Sequence, residues 1–311
     1  MTHFLNRLLT SLSVLAGVIV IGFVLIQVAP ADPAAVRAGG SATAEEIAEI
    51  REEMGLNRPV VVQLGLYVWR LAHLDLGRSM ISSQPVADEI SATVGPTVEL
   101  MLASVIWSIP LAIALGVVAA YRRGRFVDRL VMLVSVCGVS LPVFWVGMLL
   151  IQTIGGAGWL PYLGRGGPLW TLDGLAAIAL PAITLGSVLI GPVARITRTA
   201  VIETLGSDYV RTARAKGAGE VRILVRHALR NALLPIVTLV GLQVGNLLGG
   251  AVVTEQIFSW PGIGRMAVSA IFSSDFPLAQ GAILVTAVGF LIINLVVDLL
   301  YASLDPRGSK Q

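Results

Sequence analysis

The 311-residue sequence has one cysteine, three histidines and two lysines, and only 13% of its residues are charged. The single Cys137 excludes an intrachain disulfide and a cysteine metal cluster. His3, His73 and His227 are scattered without a second ligand type at metal-binding spacing, so we expect no metal and no cofactor. Neither lysine follows a glycine, which excludes the Gly-Lys-Ser/Thr phosphate loop of an ATP-hydrolysing chain. Without a Gly-x-Ser-x-Gly elbow either, the chain is predicted not to be an enzyme.

The sequence contains several long apolar runs without charged residues, and its mean hydropathy is +0.82. Crossing a hydrocarbon core takes about 20 residues. Stretches of at least this length without Asp, Glu, Lys or Arg occur at 8–31, 100–120, 130–161, 174–194, 231–254 and 276–297. The sequence therefore predicts an all-α polytopic membrane protein with six transmembrane helices. The first run is longer than the apolar core of a usual signal peptide, so we interpret it as a retained span.

The basic residues are divided unevenly between the two sides of the predicted membrane. With the N-terminus inside, 15 of the 22 lysines and arginines lie in inner segments and 7 in outer ones. Because basic residues accumulate on the cytoplasmic side, both termini are predicted to be cytoplasmic. The net charge of +3 then reflects the inner segments and gives no reason to expect nucleic-acid binding.

The largest outer segment, 32–99, is predicted to form a small extramembrane subdomain. Thr43 and Glu46 have the spacing of a capping box, which predicts a helix start, and Gly55 predicts its end. One face of this helix is acidic, and it is either a solvated face or a docking face for an outer partner. The acidic residues are Glu45, Glu49, Glu52 and Glu53.

The inner segment 196–230 is too long and too rich in helix-forming residues for a simple connector. Its small residues would let a helix surface approach a partner closely, although an ordinary basic inner loop is the alternative. Glu99 and Asp298 lie at span edges, and the charge-free stretches themselves contain no acidic residue that could lie at a midplane. An ion-coupled secondary transporter would need such a midplane group, so the energy for transport is expected to come from outside the chain.

The segment SDYVRTARAKGAGEVRILVRHALRNALLP, residues 207–235, resembles the cytoplasmic EAA loop of a known family. That family is the inner-membrane permeases of ABC importers, in the dipeptide, oligopeptide and nickel branch. Arg211, Thr212 and Ala213 stand where Glu-Ala-Ala is expected in the wider family. The resemblance extends in order over nearly the whole chain, through ADPAA at 31–35, LGRSMISSQPVADEI at 76–90, EQIFSWPGIGRMAVSAIFSSDFPLAQGAIL at 255–284 and DLLYASLDPRG at 298–308.

This resemblance implies a type I importer fold in a bacterial inner membrane. Residues 1–95 would form the first span and an outer subdomain, 96–303 the permease core with the coupling loop 196–230, and 304–311 a cytoplasmic tail. The implied function is ATP-driven import of peptides or peptide-like solutes. The alternatives are a nickel-chelate permease and an ion-coupled secondary transporter. The implied partners are a second homologous permease forming a heterodimer, two cytoplasmic ATP-binding subunits and an outer solute-binding protein.

The resemblance also implies that a short helix in the loop seats in a cleft of an ATP-binding subunit. A bulky side chain at Gly217 would hold this helix away, or would strain the backbone if the position needs a positive φ. The residues expected to couple the chain to the ATPase are Asp208, Tyr209, Arg211, Ala213, Lys216 and Gly217.

The predicted orientation can be tested by labelling single cysteines from each side of the membrane. In a variant with Cys137→Ser, we expect Glu49→Cys and Glu220→Cys to react with impermeant maleimide from opposite sides, because 49 is predicted outside and 220 inside. The measurement is labelling in intact and inverted membrane vesicles. Labelling of both positions from the same side would contradict the orientation.

Overall fold

A computed structural model describes residues 2–28, 32–39 and 42–304 of the chain. Within these ranges the structure is helical, and its β-structure is limited to one isolated bridge between Arg78 and Pro85. Two segments are π-helical, Ile151–Gly155 and Ile223–Leu229. The α-helices are α1 (Thr2–Val28), α2 (Pro33–Ala38), α3 (Ala44–Glu53), α4 (Val60–Ala72), α5 (Val86–Tyr121), α6 (Phe126–Ser140), α7 (Val143–Leu150), α8 (Leu172–Leu205), α9 (Asp208–Ala215), α10 (Glu220–Arg222), α11 (Arg230–Ile257), α12 (Ile263–Phe272) and α13 (Phe276–Leu304).

Four helical segments of the described chain are long and apolar enough to cross a membrane, and they contain the second, fourth, fifth and sixth predicted spans. In the third predicted span, Phe126–Gly138 and Val143–Gly155 meet at an angle of 102°, the geometry of a broken span or of a re-entrant loop. Leu141 and Pro142 form this break, because proline removes a backbone donor and disfavours helix at the residue before it. The first predicted span lies in the 27-residue α1, and its last residues, 29–31, are outside the described ranges, as are 305–311 of the predicted tail.

The helix predicted after Thr43 is confirmed as α3, while its position outside the membrane stays a prediction. Thr43 Oγ1 accepts from the Glu46 backbone N–H at 3.3 Å, and Glu46 Oε2 accepts from the Thr43 N–H at 2.7 Å. The Thr43 N–H and, at 3.1 Å, the Thr43 hydroxyl both donate to the Glu46 carboxylate, and they hold its pKa below its usual value. The helix ends as predicted at Gly55, whose φ of 69° is in the left-handed region.

By its internal contacts the described chain divides into two compact units. The first contains residues 1–97 and 261–291, and its apolar core brings Val86 and Ile90 of α5 against α12 and α13. The carboxylate of Asp275 is buried in this unit, where it accepts from the Ser79 hydroxyl and, at 3.1 Å, from the Met80 N–H. A buried carboxylate is stable there because these donors replace the hydrogen bonds it would make to water.

The second unit contains residues 98–260 and 292–311 and is built around α8. The helix α8 packs against α6, α7 and α11 and buries leucines at 180, 185 and 189. At Gly186 a Cβ would lie 2.7 Å from Trp107 Nε1 and 2.8 Å from the Ser104 carbonyl oxygen of α5. Only glycine therefore permits α5 and α8 to approach this closely, as small residues commonly do where membrane helices pack.

The predicted boundaries at residues 95 and 303 stay a prediction. The segment 196–230, predicted as a loop, is helical over most of its length, since α8 continues to Leu205. The absence of charge ends at residue 194, but nothing in the sequence stops the helix before Gly206. A charge-free run therefore gives the membrane-crossing part of a helix and not its full length.

Candidate coupling site

The predicted coupling segment forms the eight-residue helix α9, separated from α8 by only Gly206 and Ser207. Ser207 has an extended conformation, with φ −76° and ψ 152°, which starts a new helix in a new direction. Asp208 lies in the first turn and Arg214 in the last. The charges of these two residues complement the helix dipole, which favours a negative charge at the N-terminus and a positive charge at the C-terminus.

The C-terminal end of α9 is a Schellman motif centred on Gly217. The Gly217 N–H donates to the Arg214 carbonyl at 2.9 Å, and the Ala218 N–H donates to the Ala213 carbonyl at 3.1 Å. Gly217 has a φ of 80°, a left-handed conformation that glycine adopts without the penalty of a Cβ. The conditional expectation of a positive φ at this position is thus confirmed, and the space around its Cα is open.

One face of α9 is attached to the rest of the second unit. Val210 is completely buried and Ala213, one turn later, is half-buried. The helix packs against the π-helical segment Ile223–Leu229, which buries Ile223 and Ala228. Ala228 belongs to an apolar cluster with Ala200 and Val201 of α8. The segment Ile223–Leu229 therefore joins α9 to the last turns of α8.

Tyr209 fastens α9 to the beginning of α11. Its hydroxyl oxygen accepts from Asn231 Nδ2 at 2.7 Å and donates to the His227 carbonyl at 3.4 Å. Asn231 also donates to the His227 carbonyl, at 2.8 Å. The tyrosine side chain is partly exposed, with 43% of the residue surface accessible. Tyr209 therefore links α9 to α11 while part of its surface stays accessible.

The opposite face of α9 is polar and exposed. Arg211 and Asp208 approach to 3.4 Å, but their side chains are 77% and 96% accessible, so this pair contributes little stability. Lys216 is exposed at the C-cap. Arg214 donates to both carboxylate oxygens of Glu220, at 3.1 and 3.3 Å, across the turn that follows α9. The exposed charges leave this face free for contact with an acidic or amide-rich surface.

The six sequence-predicted residues thus lie together on α9 and its C-terminal turn, but they differ in position. Asp208, Arg211 and Lys216 are exposed, Tyr209 and Ala213 face the loop, and Gly217 ends the helix. Sequence reasoning missed Val210, although it is the only aliphatic residue larger than alanine in α9. It also missed Asn231, for which a separation of 22 residues from Tyr209 gives no local signal.

A buried ion pair supports α8 just before the coupling segment. Asp128 of α6 accepts from both Nε and, at 2.8 Å, Nη2 of Arg198 on α8, and it also accepts from the Gly124 N–H at 2.8 Å. The Asp128 side chain is 5% accessible and that of Arg198 25%. The pair joins the short connector between α5 and α6 to the helix that leads into α9. The sequence analysis did not predict this ion pair.

Among the described residues no group of three or more His, Cys, Asp or Glu side chains could hold a metal ion. Residues 112–310 match the family described as "Binding-protein-dependent transport system inner membrane component", and residues 1–88 match its N-terminal family. The chain belongs to this family. It is a multi-pass inner membrane component, a permease of the ABC importers with an all-α type I fold.

Two curated relatives of this family are similar over almost their full length. The chain is 41% identical over 307 residues to the glutathione transport system permease protein GsiC of Salmonella paratyphi A. It has the same identity to the protein of that name from Escherichia coli. In both comparisons 98% of this chain and 98% of the relative are covered.

A solved structure of the methionine ABC transporter MetNI, described as inward facing, contains a chain of similar fold. The TM-score is 0.52 at 17% sequence identity, and the match covers 71% of this chain and 96% of that one. At this identity the likeness concerns the fold alone. It agrees with the helical permease architecture built around α8.

The buried pair predicts a non-additive effect of neutralising its members. Arg198→Gln leaves a buried carboxylate without its cation, and we expect a loss on the order of 3 kcal/mol in unfolding free energy. The double variant Arg198→Gln/Asp128→Asn should recover part of the lost unfolding free energy, because the uncompensated negative charge is removed. The measurement is thermal unfolding of the detergent-purified chain.

Arg195→Gln is the matched control, since Arg195 is exposed one turn earlier on the same helix. It should leave the unfolding midpoint unchanged. Equal midpoints for Arg198→Gln and Arg195→Gln would show that the pair does not support α8.

Proposed function

We propose that this permease imports peptides or peptide-like solutes, driven by ATP hydrolysis on separate subunits. The observation that carries the solute class is the 41% identity, over 98% of both chains, to permeases of glutathione, which is a tripeptide. A nickel chelate is the second candidate because of the branch that the sequence resembles. The absence of a metal-ligand cluster among the described residues gives this alternative no further support.

The proposed assembly contains a second homologous permease, two cytoplasmic ATP-binding subunits and an outer solute-binding protein. Both termini would lie in the cytoplasm, with residues 1–95 as the first span and outer subdomain, 96–303 as the core and 304–311 as a tail. The uneven distribution of basic residues supports this orientation. The lack of a Gly-Lys pair supports the placement of ATP hydrolysis on other subunits.

In this proposal α9 seats on an ATP-binding subunit, with Asp208, Arg211 and Lys216 in direct contact and Tyr209, Ala213 and Gly217 holding the helix in position. Closure of the ATP-binding subunits would push α9. The buried contacts of Val210 and the two-residue link to α8 would then convert this push into movement of the spans. Such a transition between two states is the usual way in which a local contact gates a protein.

The solute class is tested by uptake in cells that lack the gene. Deletion should abolish uptake of radiolabelled glutathione or dipeptides, and uptake should return when the gene is restored. Nickel uptake, measured in parallel with ⁶³Ni²⁺, should not change. Lost nickel uptake with unchanged peptide uptake would reverse the order of the two candidates.

The coupling role is tested at Gly217. Its left-handed φ makes Gly217→Val and Gly217→Trp strained by about 1–2 kcal/mol, enough to unravel an eight-residue helix end. We expect both variants to insert normally but to lose most uptake and most co-purification of the ATP-binding subunits. Gly217→Asn should keep more of both, because asparagine tolerates this conformation.

Gly219→Val is the control for added bulk in the same turn. Gly219 has a φ of −66° and open space around its Cα, so valine fits there without strain. The chain purified without ATP-binding subunits is the blank and should hydrolyse no ATP. Normal uptake and normal co-purification in Gly217→Val would mean that the coupling contact lies elsewhere.

A further inference from the structure

A large cavity in the first unit is separate from the coupling site and has no role in the function proposed above. Its volume is about 790 Å³. It is bounded by the end of α1, by α2 and α4, by the segment 75–83 that follows α4, and by the beginning of α13. Contacts across it hold these elements together, since Gln27 of α1 donates to Gln63 of α4 at 2.9 Å and Gln280 of α13 donates to the Gly22 carbonyl at 3.1 Å.

Positive charge dominates the polar lining of this cavity. Four arginines line it, at 37, 58, 70 and 78, against two carboxylates, Glu53 and Asp75. Asp75 is already engaged, because its Oδ1 accepts from the Gly77 N–H at 2.9 Å. Among the described residues, Arg37, Arg58 and Arg70 form no ion pair within 4.0 Å. Several guanidinium groups are therefore available around one space, an arrangement suited to a phosphate or a carboxylate.

The apolar lining is aromatic and lies beside the end of the first predicted span. Phe23 of α1 and Tyr67 of α4 stack with ring centroids 6.1 Å apart, and Trp69 also lines the cavity. Burial raises the pKa of the Tyr67 hydroxyl, although the nearby charge of Arg70 opposes this shift. Because α4 contacts α1 at Phe23 and Gln27, near the C-terminal end of α1, α4 lies beside the end of the first predicted span.

The outward face of α4 has the character of a helix in the membrane interface. It exposes a row of aliphatic residues, among which Val61 is 80% accessible, and Trp69 is 66% accessible. A water-facing helix of 13 residues with this face would be costly, whereas an interfacial helix buries such a face at the boundary between headgroups and acyl chains. Tryptophan and tyrosine are enriched at this level of a membrane.

We propose that the cavity binds the phosphate group of an anionic phospholipid, whose acyl chains lie along the exposed face of α4. The unpaired arginines supply the donors for the phosphate, and the aliphatic row beside them supplies the apolar surface. Both requirements meet in a phospholipid, whereas a free anion would use only the arginines. Basic pockets between membrane helices recognise the headgroups of anionic lipids on the cytoplasmic side, and the proposed site uses the same chemistry on the side predicted to be outer.

The proposal is tested by native mass spectrometry of the full detergent-purified chain titrated with dioleoyl phosphatidylglycerol. In Arg58→Gln/Arg70→Gln we expect binding of this lipid to weaken about tenfold or more, because two charge-assisted phosphate contacts are removed. Arg58→Lys/Arg70→Lys keeps the charge but loses the bidentate geometry, so it should give an intermediate affinity. Arg122→Gln/Arg222→Gln removes the same charge from exposed positions outside the cavity and should bind like the unchanged chain.

Three further probes identify the source of the anion. Dioleoyl phosphatidylcholine, inorganic phosphate and reduced glutathione should each fail to displace phosphatidylglycerol at equal concentration. Displacement by phosphate or glutathione would overturn the lipid assignment in favour of a free anion. Equal loss of binding in the control variant, or unchanged binding in both the Gln and Lys variants, would show that the arginines of the cavity do not form the site.

Discussion

A chain that enters hydrocarbon must satisfy its backbone hydrogen bonds within its own helices, and the rest of this structure follows from that constraint. Specific chemistry is then confined to the places where helices begin, end or break. Thr43 begins one helix with a capping box, Pro142 breaks another, and Gly217 ends the helix on which coupling is proposed to depend. The residues that determine where helices start, break and stop therefore lie at helix ends and not along the spans.

The same constraint governs the charges. Two buried carboxylates each have a defined set of partners, Asp128 in Arg198 and the Gly124 N–H, and Asp275 in Ser79 and Met80. Such groups hold helices in register but are occupied by their partners. Exposed charges remain on α9 and around the arginine-lined cavity of the first unit. The proposed contact with ATP-binding subunits and the proposed lipid site would both use these exposed charges.

Much of this architecture was predictable, because charge-free runs, a capping box and a glycine after a helix are local signals. The positive φ at Gly217 follows from the same logic, since glycine is the residue that ends helices in a left-handed turn. The extension of α8 to Leu205 was not predictable from charge, which marks lipid exposure and not helix length. The contact of Tyr209 with Asn231 and the pair of Asp128 with Arg198 join residues 22 and 70 positions apart, so only the folded chain brings them together.

The length of α8 has a mechanical consequence. At a rise of 1.5 Å per residue, its 34 residues form a rod about 50 Å long that ends two residues from α9. If the rod pivots near one end, a rotation of about 5° displaces the other end by about 4 Å, nearly the rise of one helical turn. In the proposed coupling, a small push on α9 would therefore give a larger displacement at the far end of α8, and the two prolines inside this helix, Pro181 and Pro192, are the places where it resists bending least.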